Sequence, residues 1–167
     1  MPTLIKDGQV VDNPWSLLAK DVDLSTALSD QSSHIIVPFA LWQEHKDSLM
    51  ESGKAVAVWV DSDDDPYELA NDVIDLPLIC LNFPVFRDGR AFSAAAILRE
   101  RLNYQGEIRA IGEFIRDQLF LMQRCGFSQF SFANDIDLQA AADSLKDFSE
   151  VYQTAADQPQ PLFKRLR

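Results

Sequence analysis

The chain has 167 residues and a formal net charge of −11, from 26 acidic against 15 basic side chains. A surface so acidic repels phosphate backbones and anionic lipid, so nucleic-acid binding is excluded as a main role. No apolar run approaches the ~20 residues that cross a bilayer, and the first residues lack a basic stretch followed by a long apolar one. A cytoplasmic protein with no membrane span is expected, folded as one domain over residues 1–157 with a tail over 158–167.

Leu4-Ile5-Lys6-Asp7-Gly8-Gln9-Val10-Val11 sets Asp-Gly between two short apolar runs, which predicts a β-hairpin over 4–11. Asn13-Pro14-Trp15 interrupts it, and the polar stretch 16–33 reads as loop with one short helix. From Ile35 to 157 short β-branched runs alternate with longer amphipathic stretches, the signature of βα units. Strands are expected at 35–37, 55–60, 78–83, 108–111 and 127–132. Helices should follow from Pro38, over 66–74, over 94–103, after Gly112 and over 138–152. The fold class is therefore α/β: a mainly parallel sheet of about five strands, opened by the hairpin. Strand order is left open, and part of a TIM-like barrel is the alternative arrangement. Such an incomplete barrel has strand edges that a homodimer would cover.

Cys80 and Cys125 form no Cys-x-x-Cys pair. Cys80 lies in an apolar run and reads as core, whereas Cys125 precedes Gly126 at a helix carboxyl end, where the dipole disfavours a thiolate. Asp61-Ser-Asp-Asp-Asp65 begins like a calcium loop, yet Pro66 stands where that loop needs glycine. Asp65 as N-cap, Pro66 as first helical residue and Glu68 as capping partner is the simpler reading, with a weak Mg²⁺ site as the other. His34 and His45 share no ligand spacing, and the six glycines permit neither G-x-G-x-x-G nor a phosphate loop. No metal and no cofactor is expected.

Cationic and polar residues at strand-to-helix junctions carry the functional expectation. Phe83-Pro-Val-Phe-Arg-Asp-Gly-Arg-Ala-Phe-Ser93 leaves an apolar strand for three charges and a glycine, with Ser93 read as the cap of the next helix. Arg87, Asp88, Gly89 and Arg90 then occupy a loop at a strand carboxyl end, where open parallel sheets bind ligands. Arg109 lies within an apolar strand and needs a buried partner, with Asp88, Glu113 and Asp117 as candidates. Gly112 is expected to open the following helix, whose bare N–H groups favour an anion. An oxyanion pocket of Arg87, Asp88, Gly89, Arg90, Arg109 and Gly112 is one expectation; internal arginine–carboxylate pairs that only position the loops are the other. Asp88 and Asp117 are the candidate acid–base groups.

The segments Phe83 to Arg90, Ser93, Leu98-Arg99, Tyr104 to Gly112, Asp117-Gln-Leu119 and Arg124-Cys-Gly-Phe127 resemble an uncharacterised bacterial family, domain of unknown function 934. Its members are usually encoded beside assimilatory sulfite or nitrite reductase and often labelled probable oxidoreductases. The resemblance thus implies an accessory role in sulfur assimilation, with the reductase or a small oxyanion as partner. An enzyme acting on a small sulfur-containing or other anionic metabolite is the alternative. A structural module docking through the basic tail is a third reading.

Overall fold

A computed structural model describes residues 2–146 and 151–165. Its centre is one eight-stranded sheet: β1 (Thr3–Lys6), β2 (Gln9–Asp12), β3 (Ser16–Leu17), β4 (His34–Pro38), β5 (Ala55–Val60), β6 (Leu78–Phe83), β7 (Glu107–Gly112) and β8 (Gln129–Phe132). In space the order is β2-β1-β8-β7-β6-β5-β4-β3. The six strands from β3 to β8 run parallel, while β1 pairs antiparallel with both β8 and β2. The mixed α/β class, the mainly parallel sheet and the opening hairpin thus stand, and the count rises from five strands plus hairpin to eight. The added strand, β3, has only two residues, too short for any alternation to register.

Chain reach requires the sheet to curl. From β2 to β3 there are seven strand spacings, an arc of roughly 33 Å. Yet Asp12 and Ser16 are four residues apart, a span of at most about 14 Å. The two ends of the sheet must therefore approach one another, giving half of a barrel. Because the parallel strands follow in sequence order, right-handed crossovers put their helices on one outer face.

The helices are α1 (Leu24–Ser29), α2 (Phe39–Glu51), α3 (Arg90–Ala96), α4 (Leu119–Cys125), α5 (Leu138–Ser144) and α6 (Leu162–Arg165), of which α5 and α6 follow the last strand. Several differ from expectation. Ser93 caps nothing: α3 begins at Arg90 behind Gly89 and runs on into a π turn over Ile97–Arg101. The stretch expected as a helix over 66–74 is a 3-10 turn, Pro66–Leu69, followed by further turns. Asp65 does cap it, accepting from the Tyr67 N–H, whereas Glu68 accepts instead from Gln43. Gly112 ends β7 rather than opening a helix, and helical structure resumes only at Arg116. The helix expected over 138–152 stops at Ser144; Phe148 lies outside the described residues, and Tyr152 sits in a bend.

Alternate residues of each strand face opposite ways. Ile35, Val37, Val56, Val58, Val60, Ile79, Leu81, Phe83, Ile108, Ala110 and Phe130 face the helices and form the main core. Phe83 is its aromatic centre, with ring centroids 5.4 Å from Phe92, 5.8 Å from Phe114 and 5.9 Å from Phe127. On the concave face Ile36, Ala57, Trp59, Leu78, Cys80 and Ile111 form a smaller cluster against Trp15. Chain 13–18 straps that cluster down: Leu18 N–H donates to Ile36 O at 3.0 Å, and Trp59 Nε1 donates to Leu18 O at 3.1 Å.

Candidate functional site

The carboxyl ends of β5, β6 and β7 bring three loops to one rim of the half-barrel. The first, after β5, is folded by its own carboxylates: Asp61 N–H donates to Asp64 Oδ2 at 2.8 Å, and Ser62 N–H to Asp61 Oδ1 at 2.9 Å. Asn82, on the adjacent strand, donates to Asp61 Oδ1 at 3.0 Å, and Lys20 pairs with Asp61 Oδ2 at 2.5 Å. Partial burial pushes the Asp61 carboxyl up, but these donors outweigh it and hold the group below its ordinary value.

The second loop, 84–89, leads into α3. Arg90, in the first turn of that helix, is tied to two carboxylates. Its Nε donates to Asp88 Oδ1 and Oδ2 at 2.9 and 3.1 Å, its Nη2 to Asp88 Oδ2 at 2.5 Å, and its Nη1 to Asp63 Oδ1 at 2.5 Å. The Arg90 backbone N–H adds a 3.0 Å bond to Asp88. Hydrogen bonding from the Arg90 side chain and backbone holds the Asp88 carboxyl well below the usual carboxylate range. Between these loops lies a cavity of about 360 Å³, lined by Asp61, Asp63, Asn82, Arg90, Ser93 and Ile97 among others.

The third loop, after β7, carries Asp117 in a short 3-10 turn, exposed to solvent. Gln118 joins it to the second: its Oε1 accepts from Ile115 N–H at 3.1 Å, and its Nε2 donates to Phe86 O at 3.3 Å. Val85, Phe86 and Ile115 are 51%, 50% and 49% exposed, so three large apolar side chains face solvent on two linked loops. The Arg87 guanidinium lies 5.7 Å from the Phe86 ring centroid.

The expected site residues are thus only partly assembled. Arg87, Asp88, Gly89 and Arg90 share the rim, with Asp63 added. Arg109 is not among them. It faces the concave side, 2% exposed, where Nε donates to Gln129 Oε1 at 2.8 Å and Nη1 to Asn13 Oδ1 at 3.2 Å. None of Asp88, Glu113 or Asp117 pairs with it among the described residues, because those lie beyond the carboxyl ends of β6 and β7 whereas Arg109 sits mid-strand. Gly112 ends β7 beneath the rim at a φ of +93°, where a β-carbon would run into the Phe83 carbonyl and the Asn82 side chain.

The sequence reading did not place Asn82, Phe86, Ile115, Gln129 or Asn13 at a site, and it weighed Asp63 only within the weak Mg²⁺ reading of 61–65. For Asp63 and Asn82 a signal existed, since both follow apolar runs now adjacent in the sheet. Asn13 lies 96 residues from Arg109, and nothing local connects them. Among the described residues no group of three His, Cys, Asp or Glu side chains is arranged to hold a metal. A larger cavity, about 700 Å³, lies at the opposite end against Arg99, Tyr104, Ser128 and residues 154–157. Four donated bonds already tie Arg99 to the carbonyls of Tyr104, Gly106 and Gly126, and the amino ends of the strands are not where such sheets place ligands.

The fold and its rim define an open, half-barrel α/β protein with loop-borne charge at the strand carboxyl ends. Residues 57–163 match a bacterial protein family of unknown function, DUF934, and the chain belongs to that family. No curated relative and no solved structure matches it. Among the described residues no helix is long and apolar enough to cross a membrane.

Proposed function

We propose that this chain is an accessory protein of assimilatory sulfite or nitrite reduction that binds the reductase through the rim formed by loops 84–90 and 113–118. The observation that carries the docking reading is the exposure of Val85, Phe86 and Ile115 on loops pinned together by Gln118. Exposed apolar side chains grouped beside an arginine are the composition of binding hot spots, and a pre-ordered loop loses less entropy on docking. The reductase pathway itself comes from the family resemblance. An oxyanion bound at Arg90 is less well supported, since Asp88 and Asp63 already neutralise that guanidinium. Asp88 is likewise poorly suited to acid–base work near neutral pH, because its proton is bound too weakly.

The test is binding of the purified full chain to purified sulfite reductase and nitrite reductase by interferometry. Wild type should bind one of them, and Phe86→Ser and Arg87→Glu should each weaken that binding about tenfold or more, the loss typical of a hot-spot residue. Binding unchanged in both variants would overturn the rim, and no binding by wild type would overturn the docking reading.

A further inference from the structure

Arg109 is the one buried charged residue among the described residues. Its side chain is 2% exposed, and its two hydrogen-bond partners, Gln129 Oε1 and Asn13 Oδ1, are both neutral. Among the described residues no carboxylate lies within ion-pair distance of it. Its neighbours across the concave face, in register on adjacent strands, are Cys80 and Gln129. Glu107, two residues earlier on the same strand, is already engaged by Lys6 at 2.9 Å and by Ser128 at 2.5 Å. A buried guanidinium is normally compensated by a carboxylate, because desolvating an unpaired charge costs several kcal/mol, of the order seen for buried ions generally.

The third nitrogen completes the picture. Nη2 of Arg109 bonds to no acceptor among the described residues, yet it is not one of the sealed, unsatisfied polar atoms. One edge of the guanidinium therefore keeps contact with solvent although the side chain is buried. Residues 13–15 join β2 to β3, the two ends of the sheet, and the Asn13 amide oxygen takes the place at Nη1 where an anionic oxygen would bind more strongly.

We infer that Arg109 is a binding site for a small oxyanion, such as sulfite, nitrite or phosphate, held within the concave face of the half-barrel. The guest's oxygens accept from Nη2 and Nη1, and Gln129 fixes the guanidinium from the other side through Nε. The site is separate from the docking rim and does not depend on it. It also explains why Asn rather than Asp stands at position 13: a carboxylate there would fill the site permanently. Asn13 holds the strap in place by accepting from Trp15 N–H at 3.1 Å, a bond that Asp would keep.

The test is thermal denaturation and calorimetric titration of the full chain with sodium sulfite, nitrite and phosphate, against sodium chloride at equal ionic strength. At least one oxyanion should raise the wild-type Tm beyond chloride, by linkage of binding to folding. Asn13→Asp should raise the Tm without any added anion and abolish the oxyanion-specific shift. Arg109→Gln should abolish the shift too. No specific shift in wild type overturns the proposal, as does a shift that persists in Asn13→Asp. Should Arg109→Gln fail to fold, Asn13→Asp alone decides the matter, because it retains every backbone bond of the strap.

Discussion

Asp88 and Arg90, two residues apart, close a small ring: one carboxylate receives the backbone N–H, Nε and Nη2 of the same arginine. The depressed carboxyl of Asp88 links this ring to acid stability. A carboxyl whose folded pKa lies below its unfolded value contributes stability above that unfolded value, near 3.9, and loses it as pH falls further. Wild type should therefore lose stability between about pH 4 and pH 2 more steeply than Asp88→Asn, which has no such proton to gain. Tm measured from pH 6 down to pH 2 checks this. Parallel curves for the two proteins would show that the ring contributes nothing in solution.

Gly112 ends β7 at a φ of +93°, and a β-carbon there would collide with the Phe83 carbonyl and the Asn82 side chain. Only one of these obstacles is a movable side chain. Gly112→Ala should destabilise the fold by about 2–3 kcal/mol or more, from left-handed strain plus the backbone clash. Urea unfolding measures it. Gly89→Ala is the control, because its backbone is right-handed and open space surrounds it, so its midpoint should hardly move.

Arg99 joins three elements by donating to the carbonyls of Tyr104, Gly106 and Gly126, at 2.7 to 3.1 Å. Gly126 ends α4 in the left-handed region at φ +111°, so its carbonyl is one that no further helical turn could satisfy. Arg99→Ala should cost about 2–3 kcal/mol, since several partly buried acceptors lose a charged donor. Arg99→Lys should recover less than half of that, because an ammonium cannot fork to acceptors on both sides. Equal midpoints for the Ala and Lys variants in urea would contradict this account.

The strands that sequence reading located best are those buried on both faces. Expected bounds 55–60 and 78–83 match β5 and β6, because the short apolar runs Ala55-Val-Ala-Val-Trp-Val60 and Leu78-Ile-Cys-Leu81 leave no room for a helical period. Strand order was not legible, since each βα unit reads alike wherever it lies in the sheet. The site suffered for the same reason. Arg87 to Arg90 are contiguous and stay together, whereas Arg109 was grouped with them by charge and by its nearness to a strand-to-helix junction, and it sits mid-strand. Its actual partners come from β8 and from the strap near the start of the chain, and only the curl of the sheet brings Asn13 to it. The start of α3 was misplaced because Ser93 is a better cap by type than Gly89. Asp88 had already taken the Arg90 N–H, and so fixed the turn four residues earlier.

The two thiols should differ sharply in reactivity, although both are free. Cys80 sits on the concave face at 0% exposure, and burial pushes its pKa up to about 12, with the Arg109 charge opposing. At pH 8 its thiolate fraction is then only about 10⁻⁴, and attack further requires the sheet to open. Burial also pushes the Cys125 thiol up, with Glu100 adding to it and Arg124 opposing, but this residue is only half-buried. Native protein treated with iodoacetamide at pH 8 should therefore be labelled at Cys125 first, with Cys80 labelled only at the rate of unfolding. Peptide mass spectrometry over time separates the two sites. Labelling of Cys80 as fast as Cys125 would mean that the concave face is open in solution, and that the strap 13–18 does not hold it closed.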